Sequence, residues 1–269
     1  GPIDKQPFRT HNSYKMINVQ HNHGGCMRFF RCAAALALLL FCPATLVLAE
    51  DGLMIAAGAG YKRLVEQACA AFTAQSGIQV QQVFGNMGQI VPQVKENGNF
   101  DFILGDKSHL ETTDLAFSGE LVIGKGKLVA VTAKESKLAS LDQLTDPAVT
   151  RIAVADSKKA IYGHAAAEFL TRKGVWDQVQ PKLLVVGTVP QVTAYVVSGE
   201  VDVGFVNLTE AMAVESKVGR VLPVDETLYS PVLIVAKRMR QSPHAKAADA
   251  FVAFLQTAEA QALIRRHGL

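Results

Sequence analysis

The sequence predicts an α/β protein of two lobes, each a mostly parallel sheet flanked by helices. Three observations carry this. Short apolar runs alternate with segments whose apolar residues recur every three or four positions, and glycine-containing loops join them. The composition is 49% hydrophobic but only 7% aromatic, and Ala, Val and Leu dominate it, as suits strands buried on both faces. The same strand-loop-helix pattern then restarts after Gly124-Lys125-Gly126-Lys127. A chain of 269 residues is long enough for two cores.

The first unit begins at Leu53. Leu53 to Ala57 reads as a buried strand, Gly58-Ala59-Gly60 as a side-chain-poor turn, and Leu64, Val65, Ala68, Ala71 and Phe72 as the apolar side of a helix ended by Gly77. Strand, glycine turn and helix present free backbone N–H groups to an anion, and Lys62 adds a charge one turn in. The alternative is a plain connection whose glycines only make the turn. Ile78 to Phe84 alternates as a second strand and delivers Gly85-Asn86-Met87-Gly88, which is either a second ligand loop or an ordinary turn with a helix N-cap. Phe100 to Leu104 is a third strand with Gly105-Asp106 as its exit. A short helix is expected over Leu110 to Gly119. All three loops fall on the carboxyl edge of a parallel sheet, where such sheets bind ligands.

Leu121–Ile123 and Leu128–Thr132 flank the Gly-Lys-Gly-Lys crossover, whose lysines read as a solvated loop. In the second lobe, strands are expected at Arg151–Val154, Leu183–Val186 and Val201–Val206. Asp156-Ser157-Lys158-Lys159, Thr188-Val189-Pro190 and Asn207-Leu208-Thr209-Glu210 are their exit loops. Tyr162, Gly163 and His164 open a helix. Pro231 to Ala236 returns the chain to the first lobe, and helices over 243–257 and 258–267 pack there. The expected lobes are 50–124 with 231–269, and 125–230.

The first 49 residues stand apart. Residues 1–26 are polar and irregular, and are expected to be a disordered tail or a non-native extension. Met27-Arg28-Phe29-Phe30-Arg31, the apolar run Ala33–Phe41 and Val47-Leu48-Ala49 form the three-part layout of a secretory signal over 27–49. A lipoprotein cut at Cys42 is disfavoured by Phe41, and an uncleaved anchor is the other alternative. Of the 27 Lys and Arg and 24 Asp and Glu, five basic residues and one acidic residue precede residue 50. The remainder has net charge −1, which removes the main support for a nucleic-acid partner. Only Cys69 lies beyond the leader, and it reads as a buried structural thiol.

No catalytic constellation stands out: there is no G-x-S-x-G elbow, no paired-histidine spacing and no Gly-Lys-Ser/Thr phosphate loop. His109, His244 and His267 read as surface residues. Neither an enzyme nor a cofactor is expected. The thin enzyme alternative rests on Ser157, Lys158 and His164. A regulator's sensing domain is a further alternative, opposed by the leader and by the lack of a DNA-binding helix pair.

The order of elements resembles a type-II periplasmic solute-binding protein, and most closely the molybdate-binding family of ABC transporters. Ile55-Ala56-Ala57-Gly58-Ala59-Gly60, Phe84-Gly85-Asn86-Met87-Gly88-Gln89, Asp101–Asp106, Ile152–Asp156, Lys173-Gly174-Val175-Trp176-Asp177 and Val201–Val206 carry the likeness, which spans 53–267. It implies a monomer outside the cytoplasm that traps a small anion between its lobes and delivers it to an ABC permease. By register, the family's two ligand serines fall on Gly60 and Met87 and its closing tyrosine on Asn207. Its two backbone N–H positions fall near Tyr162 and Val189. The hydroxyl donors of a molybdate site are therefore absent. The candidate ligand residues are Gly58, Ala59, Gly60, Tyr61, Lys62, Asn86, Met87, Gly88, Asp106, Lys158, Tyr162, Gly163, His164, Val189 and Asn207. Molybdate or tungstate is the ligand the resemblance implies; a neutral hydroxyl cage suits such a compact dianion, whereas a lysine, amide and aromatic set suits a bulkier or organic anion. Tyr61, Tyr162, His164 and Asp106 could alternatively hold a metal ion or its chelate.

Overall fold

A computed structural model describes residues 52–269. The expected tail at 1–26 and leader at 27–49 lie outside those residues. The chain begins with β1 (Leu53–Gly58), α1 (Lys62–Ser76), β2 (Val80–Gly85), α2 (Met87–Glu96), β3 (Phe102–Asp106), α3 (Lys107–Glu111) and β4 (Phe117–Gly126). It crosses at Lys127 into β5 (Leu128–Thr132), β6 (Ile152–Ala155), α4 (Ile161–Arg172), α5 (Trp176–Val179), β7 (Leu183–Val186), α6 (Val189–Ser198), β8 (Val203–Asn207), α7 (Leu208–Val214) and β9 (Val221–Pro223). It returns through β10 (Val232–Met239), α8 (Ala245–Leu255) and α9 (Ala258–Arg266).

Two five-stranded sheets result, ordered β2-β1-β3-β10-β4 and β7-β6-β8-β5-β9. The two orders are the same pattern. In each sheet the single reversed strand, β10 or β5, is the one the chain enters on leaving the other lobe. Parallel pairing aligns the strand ends: Gly58 lies opposite Gly85, and Ala57 opposite both Phe84 and Leu104. The first three loops therefore reach one sheet edge together.

The helices follow from local chemistry. Gly77 and Gly199 end α1 and α6 with φ of 76° and 77°, a left-handed conformation that costs glycine least. The apolar side of α1 packs on the returning chain, with the Phe72 ring 5.1 Å from Phe251 and 5.6 Å from Phe254. Such aromatic pairs contribute about 0.5–1.5 kcal/mol each beyond their burial, and they fix the C-terminal helices on the first lobe.

Between β3 and β4 the structure differs from the sequence expectation. The helix is Lys107–Glu111, and Phe117–Gly126 is a ten-residue strand. Asp106 caps this helix, its carboxylate accepting from the His109 amide at 3.2 Å and from the Ser108 hydroxyl. That cap starts the helix three residues earlier than its apolar spacing indicates. His244 is not a free surface residue either. Its Nδ1 lies 3.0 Å from a carboxylate oxygen of fully buried Asp101, which also accepts from the Met54 amide and the Ser242 hydroxyl.

Candidate functional site

Loops from both sheets meet at one place. Gly58 ends β1 and Ala59, Gly60 and Tyr61 follow it, Met87 opens α2, Tyr162 lies in the first turn of α4, and Val189 opens α6. Together they line a cavity of only about 20 Å³. First-turn amides of a helix have no carbonyl of their own helix to bond, and α4 starts without a side-chain cap. Backbone donors and helix dipoles therefore converge from two lobes.

Two tyrosines fill the space between them. Tyr61 and Tyr162 are 1% and 2% exposed, and their hydroxyls are hydrogen-bonded across the cleft, with ring centroids 6.2 Å apart. Burial pushes both phenols well above their ordinary range, so both stay neutral. One hydroxyl donates to the other, which leaves the pair one O–H to offer. Under them lies Gly126, the last residue before the crossover. A Cβ there would stand 2.8 Å from the Tyr61 hydroxyl and collide outright with that of Tyr162.

The remaining candidates divide into three groups. The first packs the loops together, and Asn86, Gly88 and Asn207 in it bond across the lobes. Asn86 is a capping-box residue: its Oδ1 accepts from the Gln89 amide at 2.9 Å and its Nδ2 donates to the Gly187 carbonyl of the second lobe at 2.8 Å. The Gly88 amide donates to the Lys159 carbonyl at 3.2 Å. Asn207, 1% exposed, donates to the Gly60 carbonyl at 2.9 Å, and its Oδ1 is buried without a hydrogen-bond partner. Met87 is buried against Gly105, where a Cβ would come within 2.7 Å of its methyl carbon. Gly163 lies where the start of α4 abuts the end of β6, and any Cβ there would strike the Ala155 and Asp156 carbonyls.

The second group lines a larger interlobe chamber of about 550 Å³, with Asp106 and His109 from one lobe and Lys158, Lys159, His164 and Glu168 from the other. His109, expected at the surface, is half-buried here, and that burial holds its imidazole below the usual range, against the pull of Asp106. The chamber wall includes neither Tyr61 nor Tyr162, so the four residues considered for a metal are split between two cavities. Among the described residues, no group of three His, Cys, Asp or Glu is placed to hold a metal ion.

The third group is Lys62 alone. It does not reach the cleft. Its Nζ lies 3.8 Å from Glu66, one helical turn on, and 5.8 Å over the Phe84 ring. Position 62 falls on the solvent side of α1, whose opposite side is occupied by Leu64, Val65 and Ala68.

Sequence reasoning missed Gly126, Thr188, Lys159 and Ser230 as cleft residues. Gly126 left a signal as part of a Gly-Lys-Gly-Lys run at a crossover, and Lys159 and Thr188 as members of exit loops; Ser230 left none.

Two similar sheets joined by crossover strands, with loops from both enclosing a cavity, define a two-lobe binding protein. The chain belongs to the bacterial extracellular solute-binding proteins, whose family pattern it matches over residues 53–269. It is 28% identical to the molybdate-binding protein ModA of Rhodobacter capsulatus over 241 residues, 88% of this chain and 95% of that one. The periplasmic molybdate-binding protein of Azotobacter vinelandii superposes with a TM-score of 0.74 at 24% identity, covering 80% of this chain and 97% of that one. PEB3, in a structure with L-phospholactate bound, superposes with a TM-score of 0.64 at 14% identity, covering 80% and 98%. At these identities the two structural likenesses show the fold.

Proposed function

We propose that this chain is the solute-binding component of an ABC-type importer and takes a small anion between its lobes. The observation that carries the reading is the convergence of helix starts and glycine turns from both sheets on one interlobe site. Partial positive charge gathers there, and among the described residues no charged side chain lines the cavity. The relatives named for molybdate make molybdate and tungstate the first ligands to test. In this reading, 50–124 with 231–269 form one lobe and 125–230 the other, and they hinge at the two crossover strands to admit and trap the solute. Residues 27–49 act as a cleaved export signal, and the closed monomer docks on a membrane permease. Among the described residues, no helix is long and apolar enough to cross a membrane.

A thermal-shift screen of oxyanions, organic acids and metal ions tests the reading. An anion is expected to raise the melting temperature in a concentration-dependent way, as mass action requires. A response confined to metal ions, or a hydrolytic activity with no binding response, would contradict it.

A further inference from the structure

The two interlobe cavities differ more than tenfold in volume, and the difference bears on which anion the cleft takes. A space of about 20 Å³ holds one water and little more. A tetrahedral oxyanion could enter it only if the Tyr61–Tyr162 contact broke and a buried ring moved. A chamber of about 550 Å³ lies within the ordinary range for small organic ligands. The two spaces adjoin, since Ala160 and Ile161 line both.

The chamber's charges favour an anion. Its two acids are already engaged. Asp106 accepts from the His109 and Leu233 amides and from the Ser108 hydroxyl. Glu168 accepts from the amide and hydroxyl of Ser230, at 2.7 and 2.8 Å, and pairs with Arg172 and His164. Lys158 and Lys159 share the same wall and form no ion pair among the described residues. The chamber thus offers two unpaired ammonium groups, beside acids whose hydrogen bonds are already made.

We infer that the solute is an organic anion, larger than a tetrahedral oxyanion, seated in the chamber with its acid group on Lys158 and Lys159. This rests on the anion-importer reading above and narrows its solute. Charge-assisted hydrogen bonds from two lysines orient the acid.

The test is titration calorimetry on the purified full chain with five probes: molybdate, sulfate, citrate, malate and 3-phosphoglycerate. The expected result is that an organic anion binds about tenfold or more tighter than molybdate. The Lys158→Gln/Lys159→Gln variant should lose about tenfold or more of that affinity, whereas Lys95→Gln, outside the chamber, should lose none. Thermal melts of both variants establish that they remain folded. Tighter binding of molybdate than of every organic probe, or an unchanged affinity in the double variant, would overturn the inference and leave the importer reading standing. No binding of any anion would overturn both.

Discussion

The side-chain oxygen of Asn207 stands 2.6 Å from the point a Cβ on residue 60 would occupy, while its amide nitrogen donates to the Gly60 carbonyl at 2.9 Å. Residues 60 and 207 come from different lobes and are set together by the interlobe contact. A side chain at 60 and the asparagine at 207 would compete for one space.

That coupling is measurable. Gly60→Ser should destabilise the chain by about 1–3 kcal/mol, the usual cost of overpacking a filled site. Asn207→Ala alone frees the Gly60 carbonyl and removes the unpartnered oxygen. The double variant should be less destabilised than the two single effects added together, and chemical-denaturation midpoints in a double-mutant cycle read this directly. Strict additivity would show that the two side chains do not compete for one space.

The phenol pair makes a similar demand at the crossover. Gly126→Ala places a methyl group against the hydroxyls of Tyr61 and Tyr162. A loss of about 1–3 kcal/mol is expected, seen as a lower melting temperature. Tyr162→Phe in the same chain should recover part of the loss, because it removes the colliding oxygen. No recovery would place the strain elsewhere in the hinge.

Most of the fold was legible in the sequence because its signals are local. Apolar runs of four to six residues, helical spacing in α1 and α4, and the Gly77 and Gly199 stops depend on neighbours in the chain. The segment 107–126 was misread for two reasons: the Asp106 cap is a local signal that apolar spacing does not register, and β4 is fixed by pairing with the distant β10. The site was legible as loops and not as chemistry. Tyr61 and Tyr162 are 101 residues apart, and no spacing rule brings their hydroxyls together. Lys62 and Tyr61 are adjacent in sequence, yet one helical step turns the lysine to solvent and the tyrosine into the cleft.

Glu120 ties β4 to its surroundings through Lys107 at 2.6 Å and nearly buried Lys237 at 2.9 Å. The hydrogen bonds from Lys107 and Lys237 hold its carboxyl below the usual range. A carboxylate lowered in the folded state stabilises above its unfolded value and loses that contribution as pH falls through the folded one. Unfolding midpoints measured at about pH 7 and about pH 3.5 should therefore fall toward acid. Glu120→Gln should flatten part of the drop, and an unchanged pH dependence would remove Glu120 from it.

Cys69 is 1% exposed on the inner side of α1, and burial pushes its thiol up to about 12. Since the thiolate is the reactive form, N-ethylmaleimide at neutral pH should leave the Cys69 peptide unlabelled in the folded chain and modify it in denaturant. Mass-spectrometric mapping distinguishes the two states. Ready labelling of the native protein would show that the core around Phe72 and Phe251 opens easily.

The central claim is that both lobes hold the solute between them. It is tested most directly by a structure of the chain grown with the anion that raises its melting temperature most. The account predicts the anion between the two sheets, touched by residues of 53–126 and of 128–230 alike. An anion bound within one lobe only, or on an outer face, would contradict it.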